Sequence, residues 1–273
     1  MERIKLFISF IACVVVLQVR ASSDTTLQLQ LLNTIKGNYT NFAVDNLGNI
    51  FLITASNQVK KLNEQLDSVG LFNDVKKYGD IFSIDVSNPL KILVYYKDFS
   101  TIVVLDRFLS VRNVIDLRQQ NILQVRAIAQ SYDNNIWLFD EIDNKLKKID
   151  DNGNSLLETP DFRLLFDDAQ QPVQIIDMNS LLYLYDSKTG WKVFDYYGAL
   201  KNQYPIFNWK DVQVSDSYLM GRDSVWFYSV NPKELQFGKA NPGIDLSTAI
   251  KVIRRQNKCY VLRNNGVEIY KQQ

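Results

Sequence analysis

A stretch of about 40 residues recurs along the chain, and this repeat constrains the fold more than any other feature. The segment "NFAVDNLGNIFLITASNQVKKLNEQLDSVG" (41–70) aligns with "RAIAQSYDNNIWLFDEIDNKLKKIDDNG" (126–153). Weaker copies of the pattern include residues 92–106, 182–195, 225–237 and 258–270. Each copy joins alternating apolar and aromatic segments through turns of Asp, Asn, Ser, Gly or Pro, which is typical of short β-strands.

The repeat predicts an all-β fold consisting of a single six-bladed β-propeller. A period near 40 residues with three or four strands per unit is typical of propellers. The last repeat ends before a fourth strand, whereas an extra strand (27–35) precedes the first repeat, so we expect that N-terminal strand to complete the last blade and close the ring. Two stacked β-sandwiches are the alternative, but they do not explain the period. The expected blades are 38–78, 79–122, 123–169, 170–208, 209–245 and 246–273.

The first 21 residues have the composition of a signal peptide. A basic segment (1–5) precedes an apolar run (6–17) that is too short to span a bilayer, and small or aliphatic residues lead up to Ala21. We predict cleavage after Ala21, which leaves residues 22–273 as the propeller domain. Lipid attachment at Cys13 and an uncleaved anchor are the alternatives. No later segment is apolar enough to predict a transmembrane helix.

Charge, histidine and cysteine content exclude several classes of function. The chain carries a net charge of +1, and because residues 1–21 contribute +2, the remainder carries −1. Wholesale binding to nucleic acid or anionic lipid is therefore not expected. The absence of histidine excludes His-ligated zinc and Ser–His or Cys–His nucleophiles. Cys13 leaves with the predicted signal peptide, so Cys259 has no disulfide partner, as is typical of a bacterial envelope protein rather than a disulfide-rich ectodomain.

The two best-preserved repeats resemble the NHL-type propeller blade. "GNIFLITASNQVKKLNEQLDSVG" and "NNIWLFDEIDNKLKKIDDNG" are similar to its pattern Asp-x-x-Gly-Asn-Ile-aromatic-aliphatic, a turn, then aliphatic-x-x-aliphatic-Asp-x-x-Gly. The resemblance, which extends to exported bacterial envelope propellers of unknown function, implies a six-bladed ring with a polar central channel. It does not fix the function, because such rings include binding modules, lyases, lactonases and scaffolds.

Three aspartates are the candidates for a metal site. Gluconolactonase-like propellers hold a divalent cation with a Glu, two Asn and an Asp at the channel, and similarity to them implies calcium bound through oxygen ligands. Asp45, Asp85 and Asp177 each end a predicted innermost strand. The favoured interpretation is structural: each opens a β-turn and accepts hydrogen bonds from backbone N–H groups. No catalytic residue is assigned, and no cofactor is expected except calcium under this alternative.

Two oppositely charged segments are candidate interaction surfaces. Residues 133–168 hold ten acids and four bases, whereas residues 248–273 hold six bases and one acid. Blades 3 and 6 would lie opposite each other in a six-bladed ring, and such a dipolar disc would orient a partner. A solvated charged face without a partner is the alternative. The candidate contact residues are Asp140, Glu141, Asp143, Arg254, Arg255 and Lys258.

The connection between the third and fourth repeats, "SLLETPDFRLLFDDAQQP" (155–172), is a further candidate surface. Asp161 is placed to cap a short helix with Phe162, Leu165 and Phe166 on one face. These side chains either cover the end of a blade or dock a partner. The acid-rich turns at 140–144 and 150–154 are predicted to be structural, and Cys259 is predicted to lie in the core.

Together these features favour a non-enzymatic protein-interaction module or scaffold of the bacterial cell envelope. We expect a monomer within a hetero-complex with envelope or outer-membrane proteins, such as an outer-membrane assembly or secretion complex. The expected location is the periplasm or the periplasmic face of the outer membrane, with an extracellular location as the alternative. The other functions considered are a calcium-dependent lactonase or hydrolase and a carbohydrate-binding propeller, the latter suggested by the abundant Tyr and Trp.

Overall fold

The computed structural model describes residues 25–166 and 169–272. The predicted signal peptide and Cys13 lie outside the described residues. Two N-terminal strands, β1 (Thr25–Thr26) and β2 (Leu29–Lys36), precede the repeats. In the described residues, none of the helices is long and apolar enough to cross a membrane.

Six antiparallel sheets follow the six repeats, which confirms the predicted all-β propeller. The strands of blades 1–3, from the inside outwards, are β3 (Tyr39–Val44), β4 (Ile50–Thr54), β5 (Val59–Leu62) and β6 (Ser68–Phe72); β7 (Ser83–Asn88), β8 (Lys91–Tyr96), β9 (Thr101–Leu105) and β10 (Val111–Asp116); and β11 (Val125–Gln130), β12 (Ile136–Asp140), β13 (Lys145–Ile149) and β14 (Ser155–Glu158). Those of blades 4–6 are β15 (Gln174–Met178), β16 (Leu181–Asp186), β17 (Gly190–Phe194) and β18 (Leu200–Tyr204); β19 (Lys210–Ser215), β20 (Tyr218–Arg222), β21 (Phe227–Asn231) and β22 (Gln236–Asn241); and β23 (Lys251–Arg255), β24 (Lys258–Arg263) and β25 (Gly266–Gln272).

The N-terminal strand closes the ring as predicted. Strand β2 pairs antiparallel with β25 from Leu29↔Gln272 to Lys36↔Gly266, and so becomes the outermost strand of blade 6. Strand β1, which the sequence did not predict, pairs in parallel with β22 at the outer edge of blade 5. The segment before the first repeat therefore contacts both of the last two blades.

The first strand of each blade is the innermost, because these six strands contact one another in succession around the ring. Apolar side chains pack between neighbouring blades. Trp137 of blade 3, for example, is fully buried in a cluster that contains Ile175 and Phe194 of blade 4. This confirms the prediction that Trp137 belongs to the core between blades.

Antiparallel pairing gives the ring two different faces. The turns between first and second strands, and between third and fourth strands, lie at the same end of every blade; we call this end the turn face. The turns between second and third strands lie at the other end with the connections between blades (37–38, 73–82, 117–124, 159–173, 205–209 and 242–250), and we call it the connection face.

Short helices occur within the connections between blades. They are α1 (Val75–Tyr78), a 3-10 helix (Leu117–Gln120) and α2 (Phe162–Phe166). The carboxylate of Asp161 accepts a hydrogen bond from the N–H of Arg163 (2.9 Å), so it caps α2 as predicted.

Candidate functional site

A cavity of about 670 Å³ opens on the turn face beside the ring axis. Residues at the ends of the first strands, or in the turns that follow them, line the cavity in four consecutive blades, together with Tyr196 from an outer turn of blade 4. Uncharged amides and hydroxyls predominate, and they include Asn46, Ser87, Asn88, Asn179 and Ser180.

Two tyrosines from different blades form a stacked pair at the cavity wall. The rings of Tyr132 and Tyr196 lie 4.4 Å apart with an interplanar angle of 9°. Tyr132 is 66% exposed, so much of its ring is open to solvent. The ammonium group of Lys148 lies 5.1 Å from the centroid of the Tyr132 ring and 2.6 Å from the carboxylate of Asp133. Burial opposes ionisation of Asp133, but its hydrogen bonds with Lys148, Ser131 and Asn135 together outweigh this and lower the pKa of Asp133 to about 2.

Asp177 holds this part of the cavity together. Its carboxylate accepts hydrogen bonds from the Trp137 indole N–H (3.1 Å), the Tyr132 backbone N–H (3.3 Å), the Ser131 hydroxyl (3.3 Å) and the Tyr196 hydroxyl. Burial, followed by the hydrogen bond to Asp177, raises the pKa of Tyr196. Asp177 thus fixes the positions of Tyr132 and Tyr196, and its carboxylate accepts four hydrogen bonds from protein groups in doing so.

Gln130, one of the residues that line the cavity, has a side-chain oxygen that accepts no hydrogen bond. Its side-chain amide N–H₂ donates to the carbonyls of Ser131 (3.3 Å) and Asn135 (3.1 Å), which fixes the orientation of the amide. The opposite atom, Oε1, is buried and has no hydrogen-bond partner. A buried acceptor without a partner is uncommon in proteins and calls for an explanation.

The other two metal candidates also act as turn acceptors. The Asp45 carboxylate accepts hydrogen bonds from the N–H groups of Leu47 (2.9 Å) and Asn49 (2.8 Å). That of Asp85 accepts from the N–H of Ser87 (2.7 Å) and, across the blade boundary, from the N–H of Gln130 (2.9 Å). Within the described residues, no three Asp, Glu, Cys or His side chains come close enough together to hold a metal ion. Asp45 and Asp85 thus accept turn N–H groups as the structural interpretation expects, whereas Asp177 lies within β15 and accepts instead from blade 3 and Tyr196. The calcium alternative stays a prediction.

The acids of blade 3 are largely paired. Asp140 is 1% exposed and lies 2.8 Å from the ammonium group of Lys147, which also contacts Asp143 at 2.6 Å. Glu141 contacts Arg126 (3.1 Å) and Lys97 of blade 2 (3.4 Å). The prediction that Asp140 contacts a partner is therefore wrong, because its carboxylate is buried against a lysine. Glu141 and Asp143 remain partly exposed.

The bases of blade 6 connect neighbouring blades. Lys258 contacts Glu64 of blade 1 (2.9 Å), and Arg255 donates to the carbonyl of Val44 in the same blade (3.4 Å). The guanidinium of Arg254 lies 4.8 Å from the centroid of the Phe227 ring in blade 5. These side chains help to hold blade 6 between blades 5 and 1, and pairing reduces the charge that blades 3 and 6 present to solvent.

Helix α2 mainly covers the junction of blades 3 and 4. Phe162 is fully buried and packs between Phe139 and Phe194, so it covers the end of the blade and is not available as a docking residue. Phe166 is partly buried and lies under the ammonium group of Lys192 (4.9 Å). Leu165 is half-exposed and remains available for contact.

Cys259, which is buried, and Lys251, which is partly buried, have shifted pKa values. Burial raises the pKa of the Cys259 thiol to about 12, and the side chain packs in the core between blades 5 and 6, as predicted. Burial lowers the pKa of Lys251 to about 8, and the Asp211 carboxylate opposes the shift. The Lys251 ammonium group donates to the Asn41 side chain (2.8 Å), which joins blade 6 to blade 1.

Large apolar side chains are exposed on the connection face, opposite the cavity. Of 25 exposed large apolar residues in the described parts of the chain, ten lie on this face. Five of these ten precede the innermost strands of blades 2–6 by at most three residues, and each is between 45% and 55% exposed. These five, which we call the rim residues, are Phe82, Leu123, Val173, Phe207 and Ile250.

Three rim residues occupy equivalent positions. The N–H groups of Phe82, Val173 and Ile250 donate to the carbonyls of Tyr95 (2.9 Å), Tyr185 (2.8 Å) and Leu262 (2.9 Å) on the adjacent second strands. Blades 2, 4 and 6 therefore present an apolar side chain at the same point beside the ring axis.

Comparisons with known proteins support the fold alone. No family model matches the chain, and no curated protein sequence matches it. Virginiamycin B lyase from Staphylococcus aureus superimposes with a TM-score of 0.64 over 91% of this chain and 99% of its own, at 10% identity. A catalytically inactive histidine-to-alanine variant of that lyase with quinupristin gives a TM-score of 0.56 over 90% and 88%, at 14% identity. The WD40 domain of Neurospora crassa Pan2 gives 0.59 over 89% and 81%, at 14% identity. This chain thus shares the propeller fold with an enzyme and with a WD40 domain.

The sequence predictions missed both the cavity and the rim. Tyr132 and Tyr196 lie in different repeats, and nothing in either repeat indicates that the two rings stack. Phe82, Val173 and Ile250 read as the first residues of buried strands, because their neighbours alternate as core strands do. The recurrence of an apolar residue at the start of several first strands was the signal that pointed to the rim.

Proposed function

We propose that this chain is a non-enzymatic interaction module of the bacterial cell envelope, and that it docks a protein partner on its connection face. The rim residues carry the proposal. Apolar surface costs about 25 cal/mol per Å² when it stays in water, and five consecutive blades each present such surface on the same face. An apolar centre with a polar surround is the usual anatomy of a protein interface. Glu141 and Asp143 flank exposed Ile142 on the same face and would contribute to such a surround.

Several observations favour binding over catalysis. Asp45, Asp85 and Asp177 are engaged in hydrogen bonds, and burial raises the pKa of the Cys259 thiol well above that of a reactive cysteine. Virginiamycin B lyase is described as catalytically inactive when one of its histidines is replaced by alanine. This chain contains no histidine that could take the same role. The proposed envelope location rests on the composition of residues 1–21. The proposed NHL-type affiliation rests on the blade pattern of residues 41–70 and 126–153.

Site-specific photo-cross-linking in the native host tests the docking face. A benzophenone amino acid at Phe82, Val173 or Ile250 should give the same discrete protein adduct from all three positions. The matched control positions are Leu235, which is 89% exposed on the turn face, and Val114, which is exposed on an outer strand. Adducts from the controls but not from the rim, or no adduct from any rim position, would contradict the proposal.

A triple charge substitution provides a second test. Phe82→Glu, Val173→Glu and Ile250→Glu together should abolish the partner adduct detected from Leu123, because three carboxylates would have to be desolvated at the interface. Each native side chain is about half-exposed, so the variant should retain most of its thermal stability. Retention of the adduct by the folded variant would argue against docking at the rim.

A further inference from the structure

The turn-face cavity has the features of a ligand site that is separate from the proposed docking face. Its volume of about 670 Å³ falls within the range of roughly 300–1,000 Å³ that is typical of small-molecule sites. Four blades contribute to its walls, so a rigid ring holds the lining residues.

The lining selects for an uncharged ligand. Asp177 is the only charged residue among the twelve that line the cavity, and its carboxylate already accepts four hydrogen bonds. Lys148, near the tyrosine pair, is held by Asp133 at 2.6 Å. An anionic ligand would lose hydration without gaining a counter-charge, and a cationic ligand would have to compete for a carboxylate that already serves four donors, so either would be costly to bind. A wholly apolar ligand would bury the amides and hydroxyls of the lining without hydrogen-bond partners.

The remaining chemistry matches a sugar. Asn and Gln amides both donate and accept hydrogen bonds, and so do the hydroxyl groups around a sugar ring. The C–H face of a pyranose is apolar and flat enough to pack on an aromatic ring. Tyr132 offers such a ring, held by stacking on Tyr196 and therefore ordered before a ligand arrives.

We propose that the turn-face cavity binds a neutral saccharide, with one sugar ring packed on Tyr132 and the sugar hydroxyls bonded to exposed polar side chains of the lining such as Asn46, Ser87 and Ser180. The cavity is open on the turn face, so the reducing and non-reducing neighbours of the bound sugar unit extend along the surface. This site is independent of the rim residues, which lie on the opposite face of the ring.

Calorimetric titration of the purified full chain with four neutral hexasaccharides tests this inference. The probes are cellohexaose, maltohexaose, xylohexaose and chitohexaose, with hexagalacturonate as the charged control. At least one neutral probe should bind, and saturation-transfer NMR should place the strongest transfer on the ring C–H protons of one sugar unit. No neutral probe binding with a Kd below about 10 mM, or binding of hexagalacturonate alone, would overturn the proposal.

Variants at the tyrosine pair distinguish this site from non-specific binding. Tyr132→Ala should weaken binding about tenfold, whereas Tyr132→Phe, which keeps the ring, should stay within about twofold of the native affinity. Tyr197→Ala is the matched control, since Tyr197 is 89% exposed and does not line the cavity. Equal losses from Tyr132→Ala and Tyr197→Ala would overturn the proposal, and neither result depends on the partner of the connection face.

Discussion

At the scale of single residues, polar side chains satisfy the inner edges of the blades. Each first strand has one edge towards the ring axis, where backbone N–H groups lack a neighbouring strand. Asp85 of blade 2 accepts from the N–H of Gln130 in blade 3 (2.9 Å), and Asp211 of blade 5 accepts from the N–H of Val252 in blade 6 (2.9 Å). Gln213 likewise accepts from the N–H of Arg254 (3.2 Å). Polar residues on innermost strands thus have a structural use that needs no ligand.

This use leads to a prediction about calcium. The carboxylates of Asp45, Asp85 and Asp177 would have to give up hydrogen bonds to coordinate an ion, so millimolar calcium should leave the melting temperature unchanged. Differential scanning calorimetry with and without the ion measures the effect, with magnesium as the control. A calcium-dependent rise that Asp177→Ala or Asp45→Ala removes would instead support the lactonase alternative.

Lys251 gives a prediction about pH. Its folded pKa of about 8 lies below the usual value near 10.5, so between these values the unfolded chain binds more protons and stability rises with pH. Lys251→Met removes the charge, and with it the contact of the ammonium group with the Phe42 ring, whose centroid lies 5.8 Å away. We expect Lys251→Met to stabilise the protein by about 1–3 kcal/mol at pH 7 and to flatten the rise above pH 8.

Urea unfolding at pH 7, 8 and 9 measures both effects. Lys258→Met is the matched control, because the Lys258 ammonium group lies at the surface beside Glu64 and its loss should cost at most about 1 kcal/mol. A Lys251→Met variant that is less stable than the native protein at pH 7 would show that the hydrogen bond to Asn41 outweighs the cost of burial.

What the sequence predicts at this scale depends on separation along the chain. The turn role of Asp150 was predictable, because the N–H groups that donate to its carboxylate, those of Asn152 and Asn154, lie within four residues along the chain. The Tyr132–Tyr196 stack was not, because it forms only when blades 3 and 4 pack together. The pairing of Asp140 with Lys147 lies within one blade, but its burial depends on the neighbouring blades.

At the scale of strands and turns, one local device recurs. In four turns an aspartate accepts hydrogen bonds from the N–H groups two and four residues ahead, and these are Asp45, Asp106, Asp150 and Asp195. Because each of these turns begins with an aspartate, the turns could be predicted from the sequence. The bulges at the start of the first strand pair in blades 1, 3 and 5 were not readable, because they arise from strand register and leave no fixed residue signature.

Gly266 gives a prediction about the pairing that closes the ring. Its φ is +141°, and a Cβ atom there would lie 2.2 Å from the carbonyl oxygen of Ile35 on strand β2. Gly266→Ala should therefore separate β2 from β25 and cost about 3 kcal/mol or more of the free energy of unfolding. Gly48→Ala is the control: its φ is +81°, but the nearest atom is a flexible Glu64 methylene at 3.3 Å, so it should cost only about 1 kcal/mol. Equal losses in chemical denaturation would contradict the steric explanation.

At the scale of the whole molecule, the ring is closed by backbone pairing between its two ends. The described part of the chain has one cysteine, Cys259, which is buried and free, so no disulfide contributes to closure there. The period and the missing fourth strand of the last repeat were enough to predict this closure. The apolar rim residues recur at similar positions in the sequence, but their exposure was not predictable, because exposure at a strand's first residue depends on how six blades tilt around the axis.

Truncation from the N-terminus separates the contributions of the two N-terminal strands. A variant without residues 1–28 keeps β2 but loses β1, and we expect its melting temperature to stay within a few degrees of that of a variant without residues 1–21. A variant without residues 1–36 loses β2 as well and leaves the seven residues of β25 without a partner strand at the outer edge. We expect its melting temperature to fall by about 10 °C or more and dimers to form by edge pairing, as size-exclusion chromatography would detect.

A synthetic peptide of residues 25–36 should restore the shortened variant, because an extended peptide can add to an exposed sheet edge. Rescue should raise the melting temperature and protect the backbone amides of β25 from hydrogen exchange, whereas a scrambled peptide of the same composition should do neither. Blade 6 holds Lys258 and Arg255 against blade 1, so loss of β2 should also increase exchange at this junction. If the shortened variant stays monomeric and as stable as the longer ones, side-chain packing between blades 6 and 1, rather than strand pairing, closes the ring.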